Sequence, residues 1–325
     1  MKFELLNKKK SQLDALRPLS PELVKNLDEW FKVELTYTSN AIEGNTLTRK
    51  ETAVVIEKGL TIGGKSLVEH LEATNHAKAL DVVHELQRKK PNQITENDIL
   101  AIHAIILQGI DDHNAGHYRR VPVRISGSAV VMPNAMKVPG LMEEFAAWLK
   151  SKKDIHPVKL AGEAHYRLVT IHPFADGNGR TARLLMNLIL MMQGYPPAII
   201  RPQERFPYIT SLETAQMGGS KEAYEKIIFK AASRSLDIYL KAATGKDPSD
   251  VALSDKLLKI GELAKAVDET VPTIRYWTKE GLLEVADVTE SRYQLYAPEM
   301  IEQCKEIQRL KKQKLTLSEI KKQMR

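Results

Sequence analysis

His172-Pro173-Phe174-Ala175-Asp176-Gly177-Asn178-Gly179-Arg180-Thr181-Ala182-Arg183 decides how this chain is read. The window holds one base that titrates near neutral pH (His172), one hard oxygen ligand (Asp176), two glycines around an amide, and two arginines three residues apart. An apolar helical run, Leu184 to Met192, follows at once. Glycines between two helical patterns let successive backbone N–H groups converge and a ligand approach closely. The positive end of the following helix makes such a turn a phosphate cradle. Arg180 and Arg183, at i and i+3, leave the same face of the first turn and suit a polyphosphate. Asp176 offers a carboxylate to Mg²⁺, and His172 can take a proton. A loop with a plain helix cap would not explain why these groups converge.

Outward from that window, composition sets the frame. The 325 residues predict two domains or three. A hydrophobic fraction of 43% allows a sizeable core. No run approaches the length of a membrane span, and the start, Met1-Lys2-Phe3-Glu4, lacks the apolar stretch of a signal peptide. A single cysteine, Cys304, forms no intramolecular disulfide, so a cytoplasmic, reducing location is expected. The net charge is +7, and residues 301–325 carry 8 Lys/Arg against 3 Asp/Glu. That basic end reads equally as a nucleic-acid footprint or a solvated helix face.

The pattern is mainly α. Residues 20–38 read as a helix with Pro21 at its first position, and Ser39 to Glu43 as a short second segment ending at Gly44. Further helices are expected over Thr48–Lys58, Lys65–Lys89, Thr95–Leu107, Gly140–Ser151, Pro157–Ile171, Gly179–Gln193 and Tyr224–Ala243. Arg119 to Val138 differs. Val121, Val123 and Ile125 alternate, Ser126-Gly127-Ser128 turns, and Ala129 to Met132 is apolar, the signal of a β-hairpin. Gly245-Lys246-Asp247-Pro248-Ser249-Asp250 reads as a linker. His70, His76, His84, His103 and His113 have no metal-ligand spacing around them and receive no role.

The central window resembles the signature of the Fic family, H-P-F-x-[D/E]-G-N-G-R-x-x-R, at every fixed position. The resemblance covers roughly residues 35–240 and implies a Fic/Doc-type helical core, the hairpin acting as a flap that pairs with a target segment. Most members transfer AMP from ATP to a protein hydroxyl. The implied roles follow: His172 as catalytic base, Asp176 on Mg²⁺, Gly177, Asn178 and Gly179 as the phosphate cradle, Arg180 and Arg183 on the β- and γ-phosphates. Tyr208 and Gln216 fall where the family lines the adenine pocket, with Gln216 departing from the usual Asn. Ser39-Asn40-Ala41-Ile42-Glu43-Gly44 resembles the family's inhibitory-helix pattern, [S/T]-x-x-x-E-[G/N], with Ser39 and Glu43 as its functional positions. A carboxylate paired with Arg183 would take that arginine from the γ-phosphate.

Farther on, Ile260-Gly261-Glu262-Leu263-Ala264 and Val271 to Trp277 read as two short helices, Arg292 to Tyr296 as a strand, and Pro298–Lys311 as a helix. This order resembles the winged helix-turn-helix of mercury-resistance-type (MerR) regulators, implying Thr273, Arg275, Tyr276 and Arg292 near DNA. Asp268-Glu269 is acidic where phosphate approaches. The expected organisation is an N-terminal helical region (1–95) with an inhibitory helix near 36–44, a Fic core (96–245), a linker (246–255) and a small winged domain (256–325). The expected activity is that of an autoinhibited protein adenylyltransferase, with ATP and Mg²⁺. Its target would be a Ser, Thr or Tyr hydroxyl on another protein or on itself. DNA and a second copy of the chain are further candidate partners, and a membrane is not. The alternatives are removal of AMP, with Glu43 orienting a water, transfer of another phosphodiester-linked group, or a DNA-binding regulator whose core senses nucleotide.

Overall fold

Local capping chemistry places the helices. The computed structural model describes residues 3–125, 128–151, 155–245, 257–283, 285, 287–289, 293–297, 300–313, 315–317 and 319–320. Helix α1 (Glu4–Ala15) is one that the sequence pattern does not announce; mixed charge hides its apolar side, Leu6 and Leu13, which is fully buried. Helix α2 (Pro21–Glu43) starts where the Ser20 hydroxyl accepts the Leu23 N–H at 3.2 Å. It runs unbroken to Glu43, so the two segments expected over 20–38 and 39–43 are one helix. Nothing between Tyr37 and Asn40 breaks the helical backbone, and the stop comes only at Gly44, left-handed at φ 102°. Helices α3 (Arg49–Lys58), α4 (Leu67–Leu86) and α5 (Glu96–Leu107) each open on a reciprocal capping box, Thr48/Glu51, Ser66/Glu69 and Thr95/Asp98.

The 119–138 segment carries no strand among its described residues. The Ser128 N–H closes a turn on the Ile125 carbonyl at 3.1 Å, but no ladder bonds join the two arms among the described residues. Alternation alone does not make a ladder. Here the arms are held by a side chain from below, as the site shows.

After α6 (Val138–Lys150) come α7 (Pro157–Ile171) and α8 (Asn178–Met192), the central pair. Every residue from Arg180 to Leu190 is buried, so α8 is enclosed on all sides. Fully burying its leucines contributes roughly 1.5–3 kcal/mol each. Helices α2, α4, α5 and α7 pack around α8. Helix α9 spans Arg205–Gln216. Helix α10 (Glu222–Ala243) packs on α7 and α1, with the Ile228 side chain in van der Waals reach of Gly162 on α7.

The chain divides into two units, residues 1–200 with 211–251, and residues 201–210 with 252–325. The N-terminal helices therefore belong to the same unit as the core. The expected linker at 246–255 lies outside the described residues. In the second unit β1 (Leu258–Lys259), β2 (Asp287–Val288) and β3 (Gln294–Tyr296) form a sheet of order β1-β3-β2, antiparallel throughout. Helices α11 (Ile260–Ala266), α12 (Val271–Lys279) and α13 (Met300–Lys312) enclose Leu263, Ile274, Trp277, Tyr296 and Ile307 with that sheet. The Thr289 N–H donates to the Tyr293 carbonyl at 2.9 Å and closes the β2–β3 wing. Cys304 is buried there, its thiol pushed up to about 12 by loss of solvent.

Candidate active site

The loop between α7 and α8 is braced from three sides. His172 ends α7 in the left-handed region, φ 50°, and its N–H still reaches the Leu168 carbonyl at 2.9 Å. Its Nδ1 lies 3.4 Å from the Val169 carbonyl, which can only accept, so Nδ1 carries the proton and Nε2 keeps its lone pair. Burial holds the imidazole below its ordinary pKa, and the charge of Arg119 pushes the same way. The ring is thus neutral at neutral pH, as a base must be.

Arg119 is buried beneath this loop. Its Nε donates to the His172 carbonyl at 2.7 Å, one terminal nitrogen to the Val121 carbonyl at 3.2 Å, and the other to the Pro133 carbonyl at 2.6 Å. The Arg119 N–H adds a bond to the Pro173 carbonyl at 2.9 Å. One guanidinium therefore ties both arms of the 119–138 segment to the backbone of His172.

Asn178 spends its side chain inside the loop: Oδ1 accepts the Phe174 N–H and Nδ2 donates to the Phe174 carbonyl, both at 2.9 Å. Its part in a phosphate cradle is left to its backbone. His103, on α5, stacks on Phe174 at 3.6 Å. Its Nδ1 accepts the Gly116 N–H at 3.0 Å, so Nε2 carries a proton and donates to the Asp176 carbonyl at 3.0 Å. Burial lowers its pKa to about 4, which keeps this tautomer at neutral pH. Gly177, φ 74°, caps α8 without a side chain, leaving the first N–H groups of the helix for a ligand.

The two arginines lie in carboxylates. Arg180 is buried and bonds Glu72 at 2.7 Å and Asp176 at 3.1 Å, while its Nε is buried without a partner. Glu72 also accepts from Asn45 Nδ2 at 2.8 Å, which links Arg180 to the residue just past the end of α2. Arg183 donates to the Ser39 hydroxyl at 3.0 Å, the Ser39 carbonyl at 2.9 Å and the Glu43 carboxylate at 2.6 Å. Gly179 shows how close that carboxylate comes: a Cβ there would collide with Glu43 Oε1. An acid thus sits against the N-terminal turn of α8, where the helix invites an anion.

Residues 93–190 match the family model described as the Fic/DOC family. A Fic domain containing signaling protein from Bacteroides thetaiotaomicron superposes with a TM-score of 0.69 at 30% identity, covering 75% of this chain and 99% of that one. The chain belongs to the Fic/DOC family. A fragment of Fic-1 from C. elegans gives a TM-score of 0.67 at 32% identity, covering 74% of this chain and 72% of that one. Among curated relatives, the protein adenylyltransferase Fic of Aedes aegypti is 35% identical over 89% of this chain and 56% of its own length. That of Nematostella vectensis is 40% identical over 64% and 48%. The chain spans about half the length of these curated relatives. Residues 258–325 match the model of the MerR HTH family regulatory protein.

In this Fic-family chain Ser39 and Glu43 lie against Arg183 of the motif. Gln216 Nε2 reaches the last turn of α7, at Val169 and Thr170, by 3.3–3.4 Å contacts. Tyr208 is buried on α9. In the second unit Thr273 is occupied in capping α12 through Thr270, while Arg275 and Tyr276 on that helix are exposed. Arg292 lies outside the described residues. Glu269, acidic at the approach to α12, accepts from Gln308 at 3.1 Å. Sequence reasoning missed Glu72, His103 and Arg119. Each acts through long-range contacts to main chain or to an arginine, and no short spacing signals that. No helix among the described residues is long and apolar enough to cross a membrane.

Proposed function

We propose that this chain is a protein adenylyltransferase held off by its own Glu43. The observation that carries the reading is the Glu43 carboxylate, bonded to Arg183 and pressed against Gly179 at the mouth of the α8 N-terminus. A triphosphate needs both that arginine and that turn, and like charges cannot share them. The orphaned Arg180 Nε, buried beside the same turn, is a donor awaiting an anion.

In the transfer, the target hydroxyl oxygen bonds to the α-phosphorus of ATP, and the bond to the bridging oxygen breaks with pyrophosphate leaving. His172 Nε2 receives the hydroxyl proton. Arg183, once released from Glu43, joins Arg180 in holding the leaving phosphates. Asp176 is the one residue of the set suited to Mg²⁺. Its side chain is 68% exposed, and no group of three candidate ligands exists among the described residues. A single carboxylate fits an ion that takes its other ligands from phosphate and water. When bound, Mg²⁺ would neutralise phosphate oxygens. The 119–138 arms, extended beside His172, would receive the target segment by main-chain pairing.

Glu43→Gly incubated with labelled ATP tests this. AMP incorporation into the protein itself or a lysate is expected to rise, and His172→Ala in that background to abolish it. A folded Glu43→Gly protein without increased transfer removes the inhibitory role. AMP removal from a modified substrate by the wild-type protein, lost in Glu43→Gly, favours the de-AMPylating alternative.

A further inference from the structure

The 119–138 segment, which we propose receives a target by its main chain, also carries side chains that choose among targets. From His113 to Met142 the sequence contains no Asp or Glu, in a chain that has 41 of them. The same stretch holds Arg119, Arg120, Arg124 and Lys137. Arg119 is buried in its clamp, while the other three are exposed and form no ion pair among the described residues. Val131, 91% exposed, and Met136, 89% exposed, are the most exposed large hydrophobic side chains among the described residues, and Val121 is exposed on the first arm. Exposed apolar side chains grouped in one segment mark interaction sites, and cations without partners there attract acids.

We infer that this segment selects an extended protein segment whose hydroxyl residue is flanked by acidic residues, with an apolar side chain for Val131 and Met136. Protein is favoured over nucleic acid because the strip is tied through Arg119 to His172, which takes a proton from a hydroxyl, and because nucleic acid would leave the apolar pair unused. The rigid clamp also matters to affinity. Arms fixed in advance lose little further freedom when a segment binds. The inference rests on the transferase reading for its consequence, but binding can be measured without turnover.

The test uses full-length Glu43→Gly protein and two peptides with the same central Thr and one Leu, flanked by Asp/Glu or by Lys/Arg. The acidic peptide is expected to show a KM about ten-fold lower, with kcat little different, and added salt is expected to close most of the gap. Arg120→Glu with Arg124→Glu is expected to reverse the preference, and Lys137→Glu alone to reduce it. Binding of labelled peptides, read by fluorescence anisotropy, is expected to follow the same order. Equal KM values, a preference that survives the charge reversal, or binding of a DNA duplex that Arg120→Glu with Arg124→Glu abolishes would overturn the inference. If acidic peptides bind selectively but no AMP is ever transferred, the surface stands and the transferase reading fails.

Discussion

A guanidinium buried against three carbonyls has no close substitute. Lysine keeps the charge of Arg119 but can reach fewer of the His172, Val121 and Pro133 oxygens, and methionine reaches none. A carbonyl left bare where water cannot reach it costs about 1–3 kcal/mol, so both replacements should lower stability and transfer. They separate by pH. On the proposed mechanism His172 works as base only when neutral, so activity falls as pH drops through its pKa. Burial sets that pKa below the usual value near 6.5, and the Arg119 charge lowers it further. In the Glu43→Gly background, Arg119→Met should move the acid limb of kcat/KM upward toward about 6.5, while Arg119→Lys should leave it in place. Identical limbs in both variants would show that Arg119 acts on the loop alone. At the same scale, Asn178 was legible as part of a Gly-Asn-Gly turn. Only the folded loop revealed that its amide is spent on Phe174.

At the scale of the element, the proposed inhibitory role of Glu43 depends on α2 being one helix. Twenty-three continuous residues carry Glu43 at the end of a helix whose buried face runs from Leu27 to Ile42. The end is fixed by Gly44 at φ 102° and by Asn45 on Glu72. A side chain at residue 44 meets nothing within 4 Å, so Gly44→Ala introduces backbone strain rather than a clash. That strain costs roughly 1–2 kcal/mol. A lower denaturation midpoint together with raised AMP incorporation is expected, although Glu43 itself is intact. Lower stability with unchanged transfer would show that the helix end does not set the lock. The capping boxes that start α3, α4 and α5 were readable from sequence, because each is a contact between residues three apart. The absence of a ladder among the described residues of 119–138 was not readable. Alternating residues make strands only if backbone partners are supplied, and here Arg119 supplies a side chain instead.

For the whole molecule, two units of different character share one chain. The second exposes Arg275 and Tyr276 on α12, and its acidic approach is partly drawn back by the Glu269 contact to Gln308. We propose that this unit contacts DNA, as its MerR-type match suggests. A gel shift with full-length protein that weakens steeply with salt is expected, with Arg275→Ala reducing it. No shift at low salt would assign the unit to protein contacts.

The sequence by itself determined the family signature, the helical class and the capped starts of the helices, because each depends on residues close in the chain. Tertiary structure decided what holds those parts in place. Glu72 on Arg180, His103 on the Asp176 carbonyl and Arg119 on the His172 carbonyl join residues 53 to 108 positions apart. A buried polar group takes whichever partner the packing brings within reach, and no spacing along the chain encodes that.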